Sequence, residues 1–238
     1  MKKIFLALFV VCFALVTYAQ NEIVVDPNAS ARTLDGTFHS IKISGCIDLY
    51  LSQSSTAAIA VSAANENLKE DIKTVIENNT LRIFYDGDKS WKRKDRKLRV
   101  YVSFTELKKL TASGACDVVA VGSVTVDALE LHMSGACDFT GIVKVNTLKM
   151  DLSGASDVKI SGTAITADIE SSGASDVKGY ELVTDICNAT VSGASDLFIT
   201  VNKVLNASAT GASDIKYKGD AMVKEKYSGG ASSISKAN

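Results

Sequence analysis

The chain has 238 residues, and its formal net charge at pH 7 is −1. This near-neutral balance excludes the strongly basic surface that general binding to nucleic acid or to an anionic membrane requires. Only one proline is present, which is typical of chains built from backbone hydrogen-bond ladders, because proline lacks the N–H donor.

The N-terminus predicts an export signal. Met1-Lys2-Lys3 precedes an apolar run over residues 4–16, and the small residue Ala19 comes shortly after. This order is typical of a secretory signal peptide, which we predict to span residues 1–19 with cleavage after Ala19. The alternative is a membrane anchor, but the apolar run is shorter than the ~20 residues of a spanning helix.

Export places the mature chain in the periplasm, on the outer surface or in the medium. After residue 19 no apolar stretch is long enough to span a bilayer, so the sequence predicts no transmembrane segment after cleavage. Residues 20–31 are interpreted as an N-terminal extension.

Residues 32–105 predict an irregular β region that caps the C-terminal part of the chain. Residues 38–43 alternate in polarity and lead into Ser44-Gly45-Cys46-Ile47-Asp48, which is a turn that leads into a second short strand. Asn65 is suited to cap a short helix. Asn78-Asn79 separates two strand-like segments and predicts a hairpin.

The most basic segment, residues 89–99, contains seven basic residues and one acidic residue. One interpretation is a patch for anionic glycans or lipid head groups, with the only tryptophan stacking on a sugar ring. The other is a solvated hairpin loop. The residues of the candidate patch are Trp91, Lys92, Arg93, Lys94, Arg96 and Lys97.

Residues 106–235 are dominated by a repeated turn. Six copies read Ser/Thr-Gly-Ala-Ser/Cys-Asp, and Ser228-Gly229-Gly230-Ala231-Ser232 is a degenerate seventh. Their first residues are 18 to 21 positions apart, a period that indicates a solenoid in which one short unit stacks on its copies. The glycines of the six regular turns are Gly114, Gly135, Gly154, Gly173, Gly193 and Gly211.

The residues around each turn alternate in polarity. Counted back from the Ser/Thr, positions one, three and five are mostly apolar, and positions two and four are polar. An apolar residue comes directly after each turn aspartate. A strand with one buried face therefore enters each turn and another leaves it. We predict an all-β protein, a right-handed parallel β-helix with one coil per repeat.

Each regular turn ends in an aspartate, and stacking would bring these carboxylates into one column. Their repulsion must be offset either by hydrogen bonds from turn N–H groups and serine hydroxyls or by calcium. Hydrogen bonding is favoured, because calcium-binding solenoid repeats have two glycines before the aspartate and a nine-residue period. The weak calcium candidates are Asp117, Asp138, Asp157, Asp176, Asp196 and Asp214.

Two cysteines occupy the same turn position in adjacent repeats, Cys116 and Cys137. Stacked coils would bring their Cα atoms ~4.8 Å apart, a distance that a disulfide accepts. The alternative is that the turn requires only a small residue there, since later repeats carry serine. A Cys116–Cys137 disulfide is thus a candidate in an exported protein.

The tandem turns resemble those of the head-GIN domain family, secreted bacterial proteins catalogued as putative auto-transporter adhesins. Residues 38–51, Asn67-Leu68, residues 79–83 and Leu107-Lys108-Lys109-Leu110 also look like that family. The resemblance covers about residues 32–235. It implies a β-helical domain at the cell envelope with adhesion as its nominal role, and it brings no catalytic residues.

The sequence leaves three functions open. The first is a non-enzymatic secreted or envelope-associated protein that binds a cell-surface glycan or an envelope protein, without a cofactor. The second is a structural spacer or assembly module without a ligand. The third is a polysaccharide-active enzyme, which is disfavoured because every turn aspartate occupies the same repeat position, whereas an active site combines different residues in different roles.

Overall fold

The computed structural model describes residues 26–87 and 97–237. The predicted signal peptide therefore lies outside the described residues. Within these two ranges, no helix is long and apolar enough to cross a membrane. The helix is α1 (Glu66–Asp71), and the strands are β1 (Ser30–Arg32), β2 (Ser40–Gly45), β3 (Asp48–Gln53), β4 (Ala58–Ser62), β5 (Ile72–Glu77), β6 (Thr80–Tyr85), β7 (Arg99–Phe104), β8 (Lys109–Gly114), β9 (Asp117–Gly135), β10 (Asp138–Leu152), β11 (Val158–Ser171), β12 (Val177–Val191), β13 (Asp196–Gly211), β14 (Asp214–Lys218), β15 (Met222–Gly230) and β16 (Ser233–Lys236).

The repeats form a parallel β-solenoid, which confirms the predicted stacking. β8 pairs in parallel with β9, and β9, β10, β11, β12 and β13 each pair in parallel with the next. The turns lie in register, with Gly114 opposite Gly135 and Asp117 opposite Asp138. Each of the strands β9 to β13 runs through most of a coil, from one turn toward the next.

The interior of the solenoid is apolar, and its outer surface carries polar ladders. Leu110, Leu131 and Met150 stack in one fully buried row. On the outer side of the same strands, Lys109 Nζ lies 3.0 Å from Glu130 Oε2 on the next coil. Opposite charges on neighbouring coils stabilise the in-register stack by a few tenths of a kcal/mol per pair.

The coils near the N-terminus are not stacked in chain order. β2 and β3, which form the first coil, lie between two later ones: β2 pairs with β6 and β8, and β3 pairs with β7 and β9. Antiparallel strands extend the stack beyond β6 and β7 at this end: β5 pairs with β6, β4 pairs with β7, and β1 pairs with β4. The N-terminal end of the solenoid is therefore closed by strands of opposite direction.

Local predictions for this region are confirmed. Asn65 caps α1 by accepting a hydrogen bond from the Leu68 N–H at 3.0 Å. β5 and β6 form the predicted hairpin. Asn78 and Asn79 both have positive φ, at 49° and 57°, as a tight two-residue hairpin turn requires.

The repeats differ in length, and in β9 to β13 the extra residues form β-bulges that come after the turns. Between Val119 and Ser123, three residues of β9 lie opposite the single residue Gly141 of β10. Further bulges occur in the pairing of β11 with β12 and of β12 with β13. These bulges come after the turns, so the turn column itself stays in register. Extra residues in a bulge increase local bending without shifting the rest of the ladder.

The last turn is one residue away from its predicted position. Gly230 rather than Gly229 pairs with Gly211, and Gly230 has the positive φ of the column, 77°. The cause is one extra residue in β15, Lys224, which shifts the register between Leu205 and Asn206. Taking Ser228 as the first residue of the seventh turn predicts that Gly229 belongs to the glycine column, and this prediction is therefore wrong.

Candidate binding site

The turn glycines allow the coils to approach each other closely. The N–H of Ala174, directly after Gly173, donates to the Gly154 carbonyl on the preceding coil at 2.7 Å. A Cβ atom on Gly173 would lie well inside 3.0 Å of that same carbonyl oxygen. The glycines are thus required by the stacking as well as by their positive φ.

The Ser/Cys position of the turns forms a buried ladder. The N–H of Ser156 donates to Ser175 Oγ at 3.1 Å, and the N–H of Ser175 donates to Ser195 Oγ at 3.0 Å. Ser156 Oγ in turn donates to the Ser153 carbonyl at 3.3 Å. These hydroxyls are fully buried but hydrogen-bonded, which is the condition for a polar group to be tolerated in a core. The position therefore has a structural role.

The turn aspartates accept hydrogen bonds, as the capping interpretation requires, but the donors lie on the next coil. The N–H of Asp196 donates to Asp176 Oδ1 at 3.1 Å, and the N–H of Asp214 donates to Asp196 Oδ1 at 3.1 Å. Burial, and then the neighbouring Asp117 carboxylate, raise the pKa of Asp48 at the start of the column. Across residues 26–87 and 97–237, no cluster of three or more His, Cys, Asp or Glu is placed to hold a metal ion.

We expect a chelator to leave the melting temperature unchanged, because backbone N–H groups serve the aspartates. If calcium bridged neighbouring coils, one site at a hundredfold excess over its dissociation constant would add about 2.7 kcal/mol of stability. Thermal unfolding with EDTA and with millimolar calcium measures this difference. A rise of several degrees with calcium, lost in the double variant Asp157→Asn/Asp176→Asn, would contradict the capping interpretation.

Cys116 and Cys137 are buried free thiols on adjacent coils. The Cys116 thiol donates to the Gly45 and Ser113 carbonyls at 3.3 and 3.4 Å, and the Cys137 thiol donates to the Ser134 carbonyl at 3.3 Å. The neighbouring thiol of Cys137, together with burial, raises the pKa of Cys116. The disulfide is not formed in this structure, and it stays a prediction for the exported protein.

A long surface depression lies on the face that the chain enters after each turn. This post-turn groove has a volume of about 810 Å³ and runs across the coils from Tyr50 on β3 to Phe198 on β13. Five steps between neighbouring strands at ~4.8 Å give it a length of about 24 Å. Gly141, which is buried, and Ile142, which is 44% exposed, line its apolar central part on β10.

One row of outward side chains runs along this groove and beyond its two ends. We call it the post-turn row. Its members are the residues two positions after Asp48 and after each of the six turn aspartates, together with Tyr101, which pairs with Tyr50. In spatial order they are Tyr101, Tyr50, Val119, Thr140, Lys159, Lys178, Phe198 and Lys216.

Aromatic rings mark both ends of the groove. Tyr50 stacks on Tyr101 with ring centroids 5.1 Å apart, and Tyr180 meets Phe198 edge-on at 5.4 Å. The Tyr101 hydroxyl donates to Asp26 Oδ2 at 2.9 Å. Burial and this hydrogen bond raise the pKa of Tyr101 to about 12, so the ring pair is anchored by a neutral phenol.

Cations accompany the rings at the far end. Lys216 Nζ lies 5.6 Å from the centroid of the Phe198 ring, and Lys218 Nζ lies 5.0 Å from that of Tyr180. The groove therefore combines an apolar centre with rings and ammonium groups, a combination that suits an amphipathic or charged ligand.

The family model described as "Putative auto-transporter adhesin, head GIN domain" matches residues 37–221. The chain belongs to this family. No curated protein sequence matches it.

Three solved structures are similar to this head GIN chain. The first is a putative adhesin from Bacteroides fragilis NCTC 9343, with 23% identity, a TM-score of 0.81 and coverage of 89% of this chain and 98% of that one. The second is a putative lipid binding protein from Parabacteroides distasonis ATCC 8503, with 19% identity, a TM-score of 0.68 and coverages of 90% and 98%. The third is a putative adhesin from Parabacteroides merdae ATCC 43184, with 21% identity, a TM-score of 0.61 and coverages of 88% and 95%. At these identities the likeness shows the fold.

The description of the head GIN family points to an adhesion-like protein at the cell surface or outside the cell. Sequence reasoning anticipated this role but did not find the groove. The post-turn row contains different residue types from coil to coil, so it does not repeat as the aspartates do. Its signal was positional, because the second residue after each turn aspartate always faces outward.

Of the candidate patch in the basic segment, only Lys97 is among the described residues. Trp91, Lys92, Arg93, Lys94 and Arg96 lie outside the described residues. Lys97 is exposed and has a φ of 45°. In the chain, the segment comes after β6 and ends at the first residue of β7. Its ligand-binding role stays a prediction.

Proposed function

We propose that this head GIN domain is a non-enzymatic adhesin-type module that binds an extended surface glycan along the post-turn groove. The observation that carries the proposal is a groove about 24 Å long with aromatic pairs at both ends, Tyr50–Tyr101 and Tyr180–Phe198.

The solenoid suits a long ligand because its contacts are already ordered. Each coil presents one side chain of the post-turn row every ~4.8 Å along the groove, from a backbone held by continuous ladders. Binding to a rigid surface loses little conformational entropy on the protein side. Aromatic rings provide flat apolar faces with little side-chain freedom, and such faces fit the C–H surfaces of sugar rings.

A lipid is the second candidate, favoured by the centre of the groove. Val119, Val121 and Ile142 line it there, and one fold neighbour is named a putative lipid binding protein. An acyl chain would bury this apolar centre but would make no charged contact with the lysines at the far end. The glycan accounts for both parts of the groove.

The other two functions have less support. For an enzyme, His132 would be a candidate general base. It lies two positions before the turn residue Ser134, 2.7 Å from Asp151 Oδ2 and 3.2 Å from Glu130 Oε2. No hydroxyl among the described residues contacts it, so it has no nucleophile to activate there. A spacer without a ligand does not account for the grouping of rings and lysines along the post-turn groove.

The basic segment, residues 89–99, stays a separate candidate contact in this proposal. Its support is its composition: seven basic residues, one acidic residue and the only tryptophan of the chain. We include Trp91 and its basic neighbours as a second candidate contact for a surface glycan.

We expect Tyr180→Ala to weaken binding to immobilised polysaccharides about tenfold, because it removes the ring that Phe198 and Lys218 contact. The matched control is Tyr227→Ala, which removes an exposed tyrosine away from the groove. Binding isotherms on a panel of surface polysaccharides measure the effect, with thermal unfolding to confirm the fold. Equal losses in both variants, or none in Tyr180→Ala, would contradict the proposal.

A further inference from the structure

Two lysines of the post-turn row face each other directly. Lys159 on β11 pairs in register with Lys178 on β12, and both are exposed. In-register neighbours on parallel strands are ~4.8 Å apart at the backbone, and like charges opposite each other destabilise a sheet. The pair therefore weakens the stack at this point unless an anion lies between the two ammonium groups.

The protein itself supplies little compensation. Lys178 Nζ lies 3.4 Å from Asp157 Oδ2, with both side chains about half exposed. Lys159 has no ion pair with any residue in the described ranges. Glu181 also lines the groove, and Lys216 Nζ lies 3.7 Å from Asp214 Oδ2. Of the four lysines along this stretch, counting Lys218, only Lys178 and Lys216 form an ion pair within the described residues. The carboxylates of Asp176 and Asp196 accept backbone N–H bonds of the next coil instead.

The position of the lysine pair connects it to the groove. Lys159 and Lys178 lie between the apolar centre, at Ile142, and the aromatic end, at Phe198. An anion bound by the pair would sit in the path of any chain that spans the groove. A ligand that carries its charge as a substituent on a chain matches this arrangement.

We propose that Lys159 and Lys178 form an anion subsite and that the ligand of the groove is a carboxylate-bearing polysaccharide. This inference rests on the proposed function and specifies its ligand class. Each carboxylate of the glycan replaces the counter-charge that the two lysines lack, and the rings at the end of the groove contact the sugar next to it.

The test compares the binding of acidic polysaccharides with that of the same polysaccharides after their carboxylates have been neutralised. Polygalacturonate, alginate and hyaluronate are each compared with their methyl-esterified, neutral forms, and binding of the full exported chain is measured at low and at physiological salt. We expect at least one acidic form to bind at least tenfold more tightly than its ester, with an affinity that falls as salt rises.

The variant Lys159→Gln/Lys178→Gln is expected to lose that tenfold preference without a fall in melting temperature, because the substitution removes a repulsion. Its control is Lys144→Gln/Lys224→Gln, which makes the same change in net charge at exposed lysines away from the groove. The control should keep the preference for the acidic polymer.

The outcomes separate this inference from the proposed function. If esters and acids bind equally, or if the control variant loses as much affinity as the groove variant, the anion subsite is wrong while the groove remains a glycan site. If neither form of any of the three polymers binds, and no neutral polysaccharide binds either, the proposed function fails and the subsite with it.

Discussion

Alanine in place of Gly173 is expected to destabilise the solenoid by about 3 kcal/mol or more. Two costs add: a Cβ at φ +85° is strained by about 1–2 kcal/mol, and it would lie well inside 3.0 Å of the Gly154 carbonyl oxygen. Because that oxygen accepts the Ala174 N–H bond between the coils, the clash must be relieved by separating two stacked strands. Denaturant unfolding measures the loss.

Gly45→Ala is the matched control. Gly45 also has a positive φ, +106°, but a Cβ there would meet no atom of the described residues within 4 Å. This variant should lose only the conformational part, about 1–2 kcal/mol. Equal losses at the two positions would show that close stacking adds nothing, and that the glycines serve backbone conformation alone.

Phe139→Ala is expected to cost about 3–5 kcal/mol, the range for removing a buried aromatic ring. Phe139 is 2% exposed, and it is the one aromatic side chain in its row of otherwise aliphatic residues on β9 to β13. Its ring occupies the room that Gly141 leaves: a Cβ on Gly141 would lie 2.9 Å from Phe139 Cζ and 2.9 Å from Ala120 Cβ. Chemical denaturation of the variant measures the cost.

The two positions should be coupled. Because a smaller side chain at Phe139 makes room for a Cβ on Gly141, Phe139→Val/Gly141→Ala should cost less than the sum of its single variants, by about 0.5 kcal/mol or more. Additive losses would mean that the ring and the glycine do not share space, and that the apolar central part of the groove is shaped by something else.

The sequence was sufficient for the repeated part of the fold. The period-two alternation of polarity predicts which side chains point inward. The glycine at the same place in each repeat predicts where the chain turns. Those features act between a residue and its neighbours in the chain, and between identical positions of adjacent coils. The interior row Leu110–Leu131–Met150 and the Lys109–Glu130 ladder result from them directly.

The sequence did not predict which strands lie next to each other where a strand has more than one possible neighbour. Nothing local to β2 states that it lies between β6 and β8 rather than at the end of the stack. The last turn was misplaced because Gly229 and Gly230 are adjacent candidates, and a bulge at Lys224 decides between them. The groove was missed because it depends on unlike residues that only the stacking brings together.

The shifted register of β15 bears on whether these molecules can grow into filaments. Lys226 and Ser228 lie opposite the buried Ala207 and Ala209, so exposed polar residues continue what is elsewhere an apolar row. A β-solenoid end with free backbone groups and an apolar interior would invite another copy to join head to tail, and repeated joining builds a fibre. The lysine opposite that row would have to be dehydrated at every such junction, and we expect this cost to oppose head-to-tail joining.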